Sequence, residues 1–125
     1  MVSSLTSLST EPPRVLFCVR KAAGAHGPLL LADRCSLSVL AEHDGDEAER
    51  FSTPERAAER FASADWRLRP GEPPVYEGAL IGLAGLISQR IDAGSHSVFI
   101  LDIEAVQTRD AQPLVYFDRA YRALL

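Results

Sequence analysis

Three histidines, two cysteines and a dense run of hydroxyls are the residues of this chain with chemistry to offer. His26, His43 and His96 share no metal-ligand spacing, and no His-Glu-x-x-His is present. Gly94-Ser95-His96-Ser97 lacks the nucleophile-elbow pattern, and no glycine-rich phosphate loop occurs. Asp102 and Glu104 recur at period two, a spacing that an ordinary solvated sheet face explains. No protein-borne catalytic group therefore announces itself. An enzyme built from these residues would take its reactive atom from a bound cofactor and supply the pocket. The hydroxyl run Ser3, Ser4, Thr6, Ser7, Ser9 and Thr10 is the one cluster suited to that task. Side-chain hydroxyls and loop N–H groups hydrogen-bond phosphate and sugar oxygens. The same residues also read as a polar, frayed N-terminus.

The chain that must position these groups has 125 residues, enough for one domain over residues 1–125. Hydrophobic residues make up 46% and charged residues 24%, which excludes a wholly disordered chain. Thirteen Lys and Arg against seventeen Asp and Glu leave a net charge of −4, with no electrostatic reason to seek nucleic acid or anionic lipid. The longest apolar run, Ala79 to Ile87, is too short to span a bilayer, and Met1 to Ser7 has no secretory-signal pattern. Cys18 and Cys35 sit in apolar stretches, form no Cys-x-x-Cys and read as core thiols of a reducing cytoplasm.

Glu11-Pro12-Pro13 breaks any helix, and Val15 to Val19 follows as a buried strand. Pro28 fits the first turn of a short helix carrying Leu29, Leu30 and Leu31. Cys35 to Leu40 alternates apolar and hydroxyl residues as a second strand. Glu42 to Arg50 reads as a solvated surface segment. Either Ser52, with Glu55, or Thr53, before Pro54, starts a helix to about Ala62 with Ala57, Ala58 and Phe61 as its stripe. The segment from Arg69 to Pro74 is loop. Ala79 to Ile91 reads as strand, its interior glycines marking a bulge or close backbone approach. Asp92 to Ser95 turns into the clearest strand, Val98 to Val106, and Leu114 to Phe117 adds another. Five or so strands with one clear and one short helix suit a small barrel or sandwich.

The stretch from Val2 to Val19 resembles the flavin-binding signature of the short-chain flavin reductases, the NAD(P)H-dependent reductase components of two-component flavin monooxygenases. Further segments match in the family's order: Ala32 to Glu42, Glu59 to Ala62 with Trp66, Gly78-Ala79-Leu80, Gly94 to Ile100, and Pro113 to Arg122. The resemblance implies a mainly β fold with short helices, an FMN-binding split β-barrel, usually a homodimer. It implies that Ser3, Ser4 and Ser7 line the flavin phosphate and ribityl region, and that Cys18, Val19 and Arg20 run beside the isoalloxazine ring. Ser38 stands where the family commonly has Asn on the flavin-facing side. His96 falls in the turn associated with nicotinamide, as against a plain exposed turn residue. Tyr121 and Arg122 fall in the C-terminal motif near that side, as against a core cover and a solvated charge. Trp66 reads as structural.

The chain departs from the family in several places. It begins inside the signature, so the barrel is expected to be incomplete at its N-terminus. Gly82 stands where the family tends to have Trp, and Ser95 replaces an Asp that could orient His96. The function implied is hydride transfer from NADH or NADPH to FMN or FAD, with reduced flavin passed to a flavin-dependent oxygenase. Proximity and ring stacking would do most of the catalysis. The competing reading is a flavin-binding or dimerising split-barrel module with little or no reductase activity.

Overall fold

The structure is a computed structural model, and it describes Met1, Val2 and Ser4 to Leu125. Strand accounts for 48% of the chain and helix for 19%, which makes the fold mainly β. The elements run β1 (Leu5–Thr10), β2 (Pro13–Arg20), α1 (His26–Leu31), β3 (Arg34–Val39), α2 (Gly45–Ser52), β4 (Trp66–Arg67), β5 (Val75–Tyr76), β6 (Ile81–Asp92), β7 (His96–Thr108), β8 (Leu114–Phe117) and β9 (Ala120–Ala123). Two compact units are built from interleaved segments. One comprises Met1, Leu37–Gly82 and Val106–Leu125, and the other Val2–Ser36 and Leu83–Ala105.

The second unit is organised by antiparallel pairing in the sheet ordered β1-β2-β7-β6-β3. β2 pairs with β7 from Arg14 opposite Asp102 to Arg20 opposite His96. Strand alternation then divides the residues between two faces. Val15, Phe17, Val19, Ser97, Phe99 and Leu101 all turn to one face and are buried. Phe17 and Phe99, directly opposite each other, stack with ring centroids 5.5 Å apart. The other face carries Arg14, Leu16, Cys18 and Arg20 opposite Asp102, Ile100, Val98 and His96. It is only partly covered: Leu16, Cys18 and Val98 keep intermediate exposure. Cys18 is thus not the plain core thiol that its apolar neighbours suggested. On this open face Arg14 Nε donates to Asp102 Oδ1 over 2.7 Å, and Ser88 Oγ donates to the same carboxylate over 2.9 Å. The Ser88 hydroxyl first, and the Arg14 guanidinium next, hold the Asp102 carboxyl below its usual range.

Gly85 answers the question its position raised. A Cβ there would lie 1.9 Å from the Asp102 carbonyl oxygen, so only glycine permits β6 and β7 to come this close. Cys35 is buried, and burial pushes its thiol up to about 11. At pH 8 a thiol-disulfide reagent should therefore label Cys35 roughly a hundredfold more slowly in the folded than in the unfolded chain. The check is the slow phase of labelling, which should vanish in Cys35→Ser and persist in Cys18→Ser.

The first unit corrects three expectations. Glu42 to Arg50 is not a solvated segment: Glu42–Asp44 forms a 3₁₀ turn and α2 follows directly. Asp44, Glu47 and Ala48 are buried there because partners meet the charges. Asp44 accepts the Tyr76 hydroxyl at 2.7 Å and the Ala41 N–H at 2.9 Å, and Glu47 accepts the Trp66 indole N–H at 3.2 Å. The predicted helix from Ser52 or Thr53 to Ala62 is instead a 3₁₀ stretch, Pro54–Glu59. Ser52 ends α2 rather than capping a new helix, and its hydroxyl donates back to Ala48 O at 2.7 Å. Ala57 and Ala58 are exposed, while Arg56 is held by Glu59 and Asp46. Among the described residues the strand count is nine rather than about five: β1, the two-residue strands β4 and β5, and the four-residue β9 have no readable period.

Trp66 is structural. Its ring lies 5.3 Å from Phe51, 4.8 Å from Phe61 and 5.1 Å from Tyr76, centroid to centroid. The hairpin β8–β9 turns through Asp118 and Arg119, both at positive φ, as a two-residue turn of the primed type requires.

Candidate functional site

Most of the predicted cofactor residues fall in the second unit. Ser3 lies outside the described residues. Ser4 is exposed, and its carbonyl accepts the Cys18 N–H at 3.3 Å, which ties the start of β1 to the middle of β2. Ser7 pairs with Val15, so alternation places it on the opposite side of the sheet from Cys18 and Arg20. Thr6 instead pairs with Leu16 and shares the open face. A bulge at Leu8 then resets the phase, and Ser9 lies opposite Arg14, again on the open side. The hydroxyl residues on the side of Cys18 and Arg20 are therefore Ser4, Thr6 and Ser9, with Ser4 and Thr6 near Cys18 and Ser9 farther along, opposite Arg14. Ser7, which the family resemblance singled out, lies on the other side of the sheet from these.

Cys18 and Arg20 stand on the open face, and Val19 turns its side chain into the core at 5% exposure. Of the three residues expected beside a ring, two present side chains to the open face. Arg20 ends β2 opposite His96, the first residue of β7. His96 is oriented after all: Ser95 Oγ lies 2.8 Å from its Nδ1, where the sequence comparison expected an orienting acid to be missing. On the core face, His26 Nε2 sits 2.8 Å from the buried Ser97 Oγ, with its ring edge-on to Phe99 at 6.2 Å. This pair joins the start of α1 to the start of β7, and nothing in the spacing of residues 26 and 97 signals it.

The first unit holds Ser38, Tyr121 and Arg122. Ser38 is half-buried in β3. The Tyr121 hydroxyl lies 3.4 Å from Ser52 Oγ, and its ring is 5.1 Å from that of Tyr116. Arg122 Nε donates to Phe117 O at 3.1 Å, which spends part of the guanidinium on its own hairpin. An open apolar groove of about 430 Å³ in this unit is lined by Phe61, Leu68, Arg69, Pro70, Glu72 and Pro74, and by none of the predicted residues.

A flavin asks for a flat, partly apolar contact, hydroxyls for its polar chain and a cation for its phosphate. The open face of the second unit offers each of these. Leu16, Cys18 and Val98 give the apolar surface, Ser4 and Thr6 the hydroxyls and Arg20 the cation. The residues present therefore fit the group.

Comparison with known proteins agrees with this reading. The chain is 31% identical over 123 residues to the FMN reductase (NADH) RutF of Stutzerimonas stutzeri, covering 98% of this chain and 71% of that protein. It is 30% identical to the reductase component of 4-hydroxyphenylacetate 3-monooxygenase of Pseudomonas aeruginosa, over 98% of this chain and 74% of the relative. Among solved structures, BorF, the flavin reductase component of a bacterial two-component tryptophan halogenase, superposes with a TM-score of 0.87 at 30% identity. That match covers 98% of this chain and 79% of BorF. The flavin reductase like domain matches residues 1–125, and this chain belongs to that family.

Proposed function

We propose that the chain is an NAD(P)H-dependent flavin reductase that hands reduced flavin to a separate oxygenase component. The observation that carries this is the full-length family match, joined to a β2–β7 face whose donors and apolar surface fit a flavin. A bound flavin would supply the redox chemistry as the acceptor of the nicotinamide's hydride. The protein's part is to bind and orient. Leu16, Cys18 and Val98 seat a ring, and Ser4 and Thr6 hold its polar chain. His96, fixed by Ser95, presents its second nitrogen toward the nicotinamide side. Tyr121 and Arg122 belong to the nicotinamide side by the same reading, and Ser38 to the flavin side. No acid, base or nucleophile is required, because holding two rings in contact supplies the rate enhancement.

The relatives' names give FMN and NADH for one of them and a monooxygenase partner for another. This chain is proposed to use NADH with FMN or FAD, to act as a homodimer and to work in the cytoplasm, where Cys18 and Cys35 stay free thiols. Among the described residues no helix is long and apolar enough to cross a membrane. The test is NADH oxidation by the purified chain with FMN and then FAD added. Turnover that saturates in flavin is the expected result. Stoichiometric flavin binding without NADH oxidation would replace the reductase with a flavin-binding module.

A further inference from the structure

The open groove of the first unit takes no part in the flavin reading, and most of it comes from one short loop. β4 and β5 pair through Trp66 opposite Tyr76 and Arg67 opposite Val75, which clamps both ends of that loop. Within it the Glu72 N–H donates to the Arg69 carbonyl at 3.1 Å, and Gly71 stands at a φ of 77°. Pro70 followed by Gly71 at the central positions is the pattern of a type II β-turn, whose outer residues have Cα atoms less than about 7 Å apart. Those outer residues are Arg69 and Glu72, and both line the groove. They are exposed, and among the described residues neither side chain has a hydrogen-bond or ion-pair partner. Arg67, two positions earlier, is by contrast paired with Glu77 at 3.7 Å. The remaining lining is apolar: Phe61, Leu68, Pro70 and Pro74. Phe61 packs against Phe51 and Trp66, with centroids at 5.2 and 4.8 Å, yet it stays 40% exposed. It does so at a φ of 65°, a left-handed conformation that a bulky residue seldom adopts.

We propose that this groove binds a free aromatic α-amino acid. At neutral pH such a ligand carries a carboxylate and an ammonium on one carbon, with a ring one methylene away. A rigid turn that sets one cation and one anion a few ångströms apart, both unpaired, matches that pair of charges. Arg69 engages the carboxylate with its guanidinium fork, and Glu72 accepts the ammonium N–H groups. The ring lies on Leu68 and Phe61 and continues the aromatic cluster outward. Ligands with fewer of these features fit less well. A simple carboxylate meets Arg69 but is repelled by Glu72, and an amine has the opposite fault. A neutral ring covers both charges without pairing either. The volume, about 430 Å³, lies near the lower end of the range of about 300–1,000 Å³ for small-molecule sites, which suits a one- or two-ring molecule. The groove shares no residue with the flavin-facing set, so this inference does not rest on the reductase reading.

The test is titration calorimetry of the full chain with L-phenylalanine and L-tryptophan, with a dissociation constant of about 1 mM or tighter expected for at least one. The better of the two is then compared with analogues that each lack one feature. For phenylalanine these are 3-phenylpropionate without the ammonium, phenethylamine without the carboxylate, and L-alanine without the ring. Each analogue should bind about tenfold more weakly, the worth of one charge-assisted contact or of the ring. Arg69→Gln should bring the amino acid down to the affinity of the amine, and Glu72→Gln should bring it down to that of the carboxylate. Both residues are exposed, so urea midpoints of the variants should equal the parent's and separate lost binding from lost folding. Leu68→Ser should weaken every ring-bearing ligand and leave L-alanine unchanged. No saturable binding of either amino acid by the parent would overturn the proposal. So would 3-phenylpropionate or phenethylamine binding as tightly as the amino acid, or both charge variants binding it as well as the parent. N-acetyl-phenylalanine amide, with the ring and neither charge, separates a free amino acid from a peptide segment. Equal affinity for it would make a partner's aromatic side chain the occupant and would overturn the proposal as well.

Discussion

Gly85→Ala should cost the chain more than about 3 kcal/mol of stability, enough to unfold it or drive it into inclusion bodies. The added Cβ would lie 1.9 Å from the Asp102 carbonyl oxygen, 2.9 Å from its carbonyl carbon and 3.1 Å from the Glu104 nitrogen. All three are backbone atoms of β7, so no side chain can swing aside. Relief requires the two strands to separate, which breaks the ladder beside Leu101, a fully buried residue. Gly82, in the same strand, is the matched control. A Cβ there meets nothing nearer than the Gln107 Cβ at 3.8 Å, ordinary van der Waals distance. Gly82→Ala should stay within about 0.5 kcal/mol of the parent, or gain slightly from reduced freedom of the unfolded chain. Urea midpoints of the two variants give the comparison, and equal midpoints would refute the close approach.

The second large effect belongs to Asp44, which is 3% exposed and has two buried donors aimed at it. Asp44→Ala strands the Tyr76 hydroxyl and the Ala41 N–H without an acceptor. Unsatisfied buried donors cost about 1–3 kcal/mol each, so a loss of roughly 3 kcal/mol is expected. Tyr76→Phe removes one donor and leaves the carboxylate its other partner, so its cost should be near 1 kcal/mol. The pair also has a signature in alkali. Burial first, and the hydrogen bond to Asp44 next, raise the Tyr76 phenol above its usual range. Its folded pKa therefore exceeds its unfolded one. The corresponding stability is complete below the unfolded value, about pH 10, and is lost as pH rises through the folded value. Tyr76→Phe should flatten the decline above about pH 10. The part due to Cys35, whose thiol titrates at about 11 in the fold, should remain. Denaturation midpoints between neutral pH and mild alkali check both, and an unchanged alkaline slope in Tyr76→Phe would contradict the assignment.

What was legible beforehand follows from where the physics is local. β2 and β7 announced themselves because their apolar runs and period-two alternation are properties of consecutive residues. The glycines of β6 suggested a close approach for the same reason, which holds at Gly85 and not at Gly82. α2 was misread because its face is buried by pairing rather than by apolar side chains. Asp44 and Glu47 look solvated until Tyr76 and Trp66, about thirty and twenty positions away, are seen to meet them. The candidate site divided along the same line. Arg20 and His96 were both singled out, but their being opposite one another is a matter of register. Ser7 came from the family resemblance, and which hydroxyls share a side with Cys18 is decided only by the register of β1 on β2 and by the bulge after Ser7. The family resemblance located the stretch, and the strand pairing sorted its residues by side.

The interleaving of the two units bears on how the chain is made. Arg20 meets His96, and Arg34 meets Glu104, across some seventy residues of intervening chain, most of which belongs to the other unit. Neither unit is a contiguous fragment, so no single cut of the gene yields either one for separate expression. During synthesis the second unit cannot close until Ala105 has cleared the ribosome, and the first awaits its last strands, β8 and β9. For most of translation the β2 segment with Phe17 therefore waits without its β7 partner. Loop closure over such separations is slow, and it leaves apolar strand edges open to other nascent chains meanwhile. Yield from cells should consequently respond to slower synthesis and lower temperature more than native stability alone would suggest.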